Sequence, residues 1–180
     1  MTDCLFLVGG SVNDLCCTPD ERLLFAAGTE RDIKAYNLTN LQGGGVVNQP
    51  VAFFTGHCAK IFTIDVSGNG NFLASAAQDF DMKTWRIDAV RLASVSPDEP
   101  VYERPAKMLE AHASAVSALA FNSNTDAGSC YLASGGTDHR LAIWNINQAK
   151  GSGTEAWSMP DAHDHVIRCG MPSLTVLKCH

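Results

Sequence analysis

Three segments of this chain repeat one pattern of residues, and the repetition limits the fold more than any other feature of the sequence. The segments read LFAAGTERDIKAYNL at 24–38, LASAAQDFDMKTWRI at 73–87 and LASGGTDHRLAIWNI at 132–146. One column of their alignment holds an aromatic residue in each segment: Tyr36, Trp85 and Trp144. Repetition at spacings of 49 and 59 residues predicts an array of small supersecondary units, each packed against its neighbours.

A histidine opens two of the repeats. His57 in TGH and His112 in EAH share a column, and a branched apolar residue follows each of them after four positions, Ile61 and Val116. The histidine precedes the tryptophan by 28 residues in one copy and by 32 in the other, because the loop NSNTDAGSC is longer than its counterpart SGNGN. A further copy begins at DAHDHVIRC, where His163 repeats the opening.

Each repeat has the signals of short strands. IFTIDV at 61–66 and VSALAF at 116–121 are strand-length segments rich in branched and aromatic residues, and turn-forming residues follow both. Apolar side chains on both faces fit a small sheet between two neighbouring sheets. No segment has helical periodicity. Candidate fourth strands lie at 50–55, 106–109 and 155–159, after connections rich in Pro, Gly and Ser at 41–49, 94–100 and 148–153.

The composition is that of a globular chain and argues against several classes of partner. Of the 180 residues, 46% are hydrophobic and 18% are charged, and the formal net charge is -6. Lysine and arginine are scattered singly, so we expect neither a nucleic-acid surface nor binding to an acidic membrane. The sequence has no apolar stretch of bilayer length, and the short apolar run near residue 5 leads us to expect no secretory signal. Seven cysteines, an odd number, do not suit a disulfide framework and predict a reducing setting, the cytoplasm or alternatively the nucleus.

Four short strands per unit, an opening Gly-His or Ala-His and a late tryptophan resemble the WD-repeat family, whose units form the blades of a β-propeller. The Trp-Asp dipeptide of that family is replaced by Trp-Arg at 85–86 and by Trp-Asn at 144–145. The first copy departs further, with Tyr36 for tryptophan, but it aligns with the second copy over 12–38 without a gap. The resemblance implies an all-β WD-repeat propeller that is incomplete. The expected units are blades at about 9–55, 56–110 and 111–160, the start of a fourth at 161–169 and a divergent tail at 170–180.

The same resemblance implies a hydrogen-bond chain inside each well-matched unit. In the third copy, Trp144 would donate to Ser134, Ser134 to His112, and His112 to Asp138. The chain would tie the opening loop to the second and third strands, each bond contributing about 1 kcal/mol. The corresponding residues of the second copy are Trp85, Ser75, His57 and Asp79.

A serine, a histidine and an aspartate close together also suggest a hydrolase. A hydrolase needs a serine that is exposed to substrate, whereas Ser134 lies in the middle of a predicted strand with no Gly-x-Ser-x-Gly turn. A triad duplicated in successive repeats has no chemical explanation. We therefore interpret the cluster as structural and the chain as non-enzymatic, with a serine hydrolase using Ser134 or Ser75 as the alternative from another class.

We predict no metal and no cofactor. The run GGG before the second repeat lacks the Gly-Lys-Ser/Thr of a phosphate loop. A closed zinc site needs tightly spaced pairs of ligands such as Cys-x-x-Cys, and this sequence has none. The residues considered as ligands and set aside are His163, His165, Cys169, Cys179 and His180.

By resemblance, the partner-binding surface lies where the opening loops and the turns between the second and third strands converge. Phe80 stands out there, either as an apolar anchor for a partner or as a cover for its own blade. The expected function is a non-enzymatic scaffold that binds another protein or a peptide. A substrate receptor of a ubiquitin ligase is the alternative within binding, although the Trp-Asp-x-Arg box of one such group is absent. The candidate partner-binding residues are Lys60, Phe80, Asp81, Ser114, His139 and Arg140.

Three blades and the start of another are fewer than known propellers need, which is at least four and normally seven. The segment CLFLV at 4–8 resembles the outer strand that completes the last blade of a closed propeller. An open stack would expose apolar faces and strand edges, so self-association through them is expected. Three explanations are open: a truncated gene model, an alternative transcript with an unrelated tail, or a piece that assembles with other chains. We favour the first two.

Overall fold

The computed structural model of the chain describes residues 10–39, 41, 47, 49–109, 112–123, 130–147, 152–162 and 164–165. Strands account for most of these residues. The predicted strand at 4–8, the histidine at 163 and the tail at 170–180 lie outside them. The strands are β1 (Val12–Cys17), β2 (Leu23–Gly28), β3 (Ile33–Asn37), β4 (Ala52–Phe54), β5 (Ile61–Val66), β6 (Phe72–Ala77), β7 (Met82–Arg86), β8 (Val101–Glu103), β9 (Lys107–Leu109), β10 (Val116–Phe121), β11 (Cys130–Gly136), β12 (Leu141–Asn147) and β13 (Ser152–Met159).

The strands form three sheets, and the expected all-β class is confirmed. The first sheet has the order β1-β2-β3-β4-β8, the second β5-β6-β7-β9 and the third β10-β11-β12-β13. Neighbouring strands pair antiparallel except β4 and β8, which run parallel. Strands β5 and β10 have the predicted bounds, and β4, β9 and β13 lie at the three predicted places for a fourth strand. No described sheet closes on itself.

The connection between β7 and β9 contains two elements that the sequence analysis did not predict. The short helix α1 (Ala89–Ala93) begins where the side chain of Asp88 accepts a bond from the backbone N–H of Arg91 at 3.0 Å. After it, β8 adds to the outer edge of the first sheet, with the ring of Tyr102 stacked on Phe53 at 5.2 Å. Elements this short leave no periodicity to detect. Within the described ranges, no helix is long and apolar enough to cross a bilayer.

The second sheet is buried on both faces because alternate side chains of a strand point to opposite sides. On one side it packs against the first sheet, and on the other against the third. One core cluster joins the first and second sheets, including Phe25, Ile33, Phe54, Leu73 and Trp85. The other joins the second and third sheets, including Phe72, Met82, Leu119, Leu132 and Trp144.

Carboxylates on the first strands of two sheets bond to the next sheet. Asp14 of β1 accepts from the hydroxyl of Thr63 at 2.8 Å and from the N–H of Ile64 at 2.9 Å. Asp65 of β5 accepts from the N–H of Phe121 at 2.6 Å. Burial raises the pKa of Asp65 to about 6, although bonds from backbone N–H groups partly oppose the rise. These bonds fix how neighbouring sheets are placed along their strands.

Candidate functional site

In the second sheet, the opening histidine links the loop before β5 to strand β6 and to the turn before β7. The Nδ1–H of His57 donates to the carboxylate of Asp79 at 2.9 Å, and the hydroxyl of Ser75 donates to its Nε2 at 2.6 Å. The backbone N–H of Cys58 also donates to Asp79, at 2.8 Å. His57 is buried and Ser75 is inaccessible to solvent. The imidazole therefore connects three segments that are far apart in sequence.

The third sheet repeats this arrangement and adds one donor. His112 Nδ1 lies 2.9 Å from Asp138, His112 Nε2 lies 2.9 Å from the hydroxyl of Ser134, and the N–H of Ala113 donates to Asp138 at 2.9 Å. The indole N–H of Trp144 donates to Ser134 at 3.0 Å. All four residues that the sequence assigned to this unit are thus brought together in one hydrogen-bond chain.

In the second sheet the expected donation from Trp85 to Ser75 is not formed. The indole nitrogen of Trp85 is buried and has no hydrogen-bond partner among the described residues. The ring packs edge-on against Phe54 of the first sheet, with centroids 6.0 Å apart, and lies 6.1 Å from the imidazole of His57. We attribute the difference to this aromatic packing, which positions the indole by its apolar surface.

The electrostatics of the second-sheet chain fix its protonation. Burial alone would raise the pKa of Asp79, but bonds from Cys58 and His57 outweigh it and hold the pKa below its usual range. Burial lowers the pKa of His57, although Asp79 partly opposes this. An ionised carboxylate can only accept, so Nδ1 carries the proton, and the neutral ring leaves Nε2 to accept from Ser75. In the third sheet, bonds from His112 and Ala113 likewise outweigh burial and lower the pKa of Asp138.

The serines of the two hydrogen-bond chains are closed to solvent. Ser75 is 0% exposed and Ser134 is 1% exposed, whereas a nucleophile must reach the atom it attacks. Among the described residues, no three His, Cys, Asp or Glu side chains are grouped to hold a metal ion. Of the ligands considered from the sequence, His165 is exposed, and His163, Cys169, Cys179 and His180 lie outside the described residues.

Three of the six candidate partner-binding residues bond within the chain. Asp81 pairs with the ammonium of Lys83 at 2.7 Å, and Lys83 is itself only 1% exposed. The hydroxyl of Ser114 shares a bond with Thr137 at 2.7 Å, and Arg140 donates to Glu155 at 2.6 Å. The ion pair of Asp81 was not predicted from the sequence, because Lys83 lies in the middle of a strand and no sequence pattern links it to Asp81.

The other three candidates lie at the same end of the second and third sheets. Phe80 and His139 occupy corresponding turns, before β7 and β12, and both have left-handed backbones with φ of 69° and 62°. Phe80 exposes 49% of its surface. Lys60, in the loop before β5, is exposed and places its ammonium 5.1 Å from the ring centre of Phe62. We call Phe80, His139 and Lys60 the turn surface.

A cavity that was not predicted from the sequence lies at the opposite end of the sheets. It has a volume of about 670 Å³ and lies between the turns at 18–20 and 68–71 and the segment 86–91. Glu103 of β8 also lines it and forms an ion pair with Arg91. The walls of this cavity include α1 and β8, neither of which was predicted. The sequence signal for α1 was Asp88, a residue type that often begins a helix, ahead of the apolar residues of the helix.

Two repeats of the chain match a known family. The family described as "WD domain, G-beta repeat" matches residues 48–86 and 103–145. Each match begins shortly before the fourth strand of one sheet, β4 or β9, and continues through three strands of the next. A matched repeat therefore spans two adjacent sheets, and its histidine lies in the loop between them.

Among curated proteins, Protein HIR1 of Kluyveromyces lactis is 27% identical over an alignment of 135 residues, and the match covers 66% of this chain. The chain spans about 15% of the length of that relative. Two segments of this chain are thus similar to WD repeats, and the sheets that they build have the form of four antiparallel strands expected of such repeats.

Proposed function

We propose that the chain is a non-enzymatic scaffold that holds another protein or a peptide on its turn surface. WD repeats and rigid stacked sheets support a role in protein interaction. The burial of Ser75 and Ser134 supports a structural role for the two His–Ser–Asp chains. The scaffold would act in a reducing compartment, the cytoplasm or alternatively the nucleus. Its partner is a protein rather than a nucleic acid or a membrane, in keeping with the net charge of -6.

The observation that carries this proposal is the conformation of Phe80. A left-handed backbone costs a residue other than glycine roughly 1–2 kcal/mol, and a bulky residue is rarely found there. Half-exposed, the phenyl ring recovers only part of the apolar burial that a core position would give. Glycine would serve the turn better, so we infer that the ring is retained for contact with a partner.

The neighbouring residues define the chemistry of that partner. Lys60 supplies an exposed cation, and His139 supplies an imidazole ring in the corresponding turn of the next sheet. Asp81, the acidic candidate, is already paired with Lys83. A partner with an apolar side chain beside acidic groups fits this surface, and the aromatic ring is the kind of residue that anchors interfaces. No observation favours the ubiquitin-ligase alternative over other binding roles.

The test is capture of binding proteins by the immobilised full chain. We compare wild type with Phe80→Gly, which keeps the turn and removes the ring, and with Val90→Ala on α1. Val90 is 69% exposed and lies at the opposite end of the sheets, so it is the matched control. We expect at least one protein to be retained by wild type and Val90→Ala and reduced about tenfold by Phe80→Gly, a loss of about 1.4 kcal/mol.

Two outcomes would contradict the proposal. If Phe80→Gly is folded and captures the same proteins as wild type, the turn surface does not bind them. If a fluorophosphonate probe labels Ser75 or Ser134, these serines are accessible nucleophiles and the chain is not a pure scaffold.

A further inference from the structure

The two interfaces between sheets use the same alignment columns. One face of each sheet, which we call the front face, points toward the next sheet along the chain. In the first and second sheets these residues are buried in the two core clusters. The front-face residues are Leu23, Phe25, Ala27 and Ile33 in the first sheet and Phe72, Ala74, Ala76 and Met82 in the second.

The front face of the third sheet has the same columns and no neighbour among the described residues. Its members are Tyr131, Ala133, Gly135 and Leu141. Tyr131 is 38% exposed, whereas its counterpart Phe72 is 1% exposed. Together with Ala120 and Ile143, Tyr131 and Ala133 line an open apolar groove of about 360 Å³.

The opposite, or back, face is open at the other end of the stack. Two columns of the alignment show this. One column holds Ile61 in the second sheet and Val116 in the third, the other holds Ile64 and Leu119, and all four residues are at most 6% exposed. The first sheet has Val12 and Leu15 in these columns, and they are 40% and 52% exposed. The same branched apolar residues that are buried between sheets are therefore exposed on β1.

The two open faces fit each other as the two halves of an existing interface. Between the second and third sheets, small front-face residues such as Ala74 and Ala76 lie in one core cluster with large back-face residues such as Leu119. The open front face is equally small at Ala133 and Gly135, and the open back face offers Leu15. One chain thus carries both halves, and a second copy supplies the missing half at either end.

We propose that two copies of this chain associate head to tail, with the back face of one first sheet docked on the front face of the partner's third sheet. Such an interface is heterologous, because each copy contributes a different surface. It continues the stacking already present twice within the chain. This proposal is independent of the turn surface, which lies at the ends of the strands rather than on the faces of the sheets.

Two substitutions on the full chain test the direction of the association. Leu15→Asp places a charge on the open back face and Tyr131→Asp places one on the open front face, both at exposed positions. Val90→Asp on α1 is the control. Sedimentation velocity and light scattering are measured over a range of concentrations, and circular dichroism monitors folding.

We expect wild type and Val90→Asp to associate as the concentration rises and each face variant alone to be monomeric. An equimolar mixture of Leu15→Asp and Tyr131→Asp should form a one-to-one dimer, because one variant keeps its front face and the other its back face. The double variant should not associate at all. If either single variant is unfolded, Leu15→Lys and Trp157→Lys replace the pair, since Trp157 is 43% exposed and pairs with Ile143 in the groove.

Three results would overturn the proposal. Wild type that stays monomeric at every concentration would show that the two faces do not dock on each other. Folded variants that fail to associate when mixed would rule out front-to-back docking. A single variant that still self-associates like wild type would indicate contact between like faces.

Discussion

Replacing Ser75 and Ser134 by alanine compares one substitution at corresponding positions of two sheets. Both serines are at most 1% exposed, and both hydroxyls bond to the Nε2 of a histidine. They differ in one contact, because Ser134 also accepts the indole N–H of Trp144, whereas the indole of Trp85 has no partner among the described residues. Each substitution removes one oxygen atom, so the cavity term is nearly equal in the two variants.

The structure sets the difference between the two free energies of unfolding. Ser75→Ala leaves one buried acceptor, on His57, without a partner, and a buried unsatisfied polar group costs about 1–3 kcal/mol. Ser134→Ala leaves an acceptor on His112 and also the indole N–H of Trp144. We therefore expect Ser134→Ala to lower the free energy of unfolding by about 1–3 kcal/mol more than Ser75→Ala.

The assay is equilibrium unfolding of the full chain in urea at neutral pH, followed by far-UV circular dichroism. The two variants control for each other, since the substituted residue, its strand and its histidine partner are matched. Equal losses, or a larger loss for Ser75→Ala, would refute the reasoning, because the extra donor at Ser134 would then contribute nothing.

Two further predictions follow from the same contacts. Trp144→Phe breaks the bond to Ser134, whereas Trp85→Phe removes a buried N–H that has no partner among the described residues. Thermal unfolding should therefore show Trp144→Phe to be the more destabilising substitution, by about 1 kcal/mol. The reverse order would contradict this prediction. Burial raises the pKa of Asp65 to about 6, so protonation of this carboxyl favours the folded state. The resulting contribution to the free energy of unfolding is fully present below about pH 4, near the pKa of the carboxyl in the unfolded chain, and is lost as the pH rises through about 6. Asp65→Asn, which keeps an oxygen to accept the N–H of Phe121, should therefore be about 2–3 kcal/mol more stable than wild type above pH 7 and lose that advantage near pH 4, as measured by unfolding at both pH values; a difference independent of pH would argue against a charged, buried Asp65.

The repeat made much of the fold predictable from sequence. Branched apolar residues predict the bounds of β5 and β10 to the residue, because each of these strands packs against a neighbouring sheet. In the third sheet, His112, Ser134 and Asp138 are in contact as the family pattern implies. Such contacts follow from the chain's own unit and need little knowledge of its neighbours.

Features that depend on contact between sheets were not predictable in this way. The indole of Trp85 is positioned by Phe54, which belongs to another sheet and lies 31 residues earlier. Strand β8 is three residues long and exists because it pairs with β4. The exposure of Leu15 also requires knowledge of what packs against β1, since its column is buried in the other two sheets.

The most direct test of the account is nitrogen-15 NMR of the two opening histidines at neutral pH. The account requires His57 and His112 to carry a proton on Nδ1, donated to Asp79 and Asp138, with Nε2 accepting from a serine hydroxyl. We expect both rings in the Nδ1–H form with slowly exchanging ring protons, since both side chains are inaccessible to solvent. Rings protonated on Nε2, or ring protons that exchange freely with water, would show that these histidines do not connect the loops to the sheets.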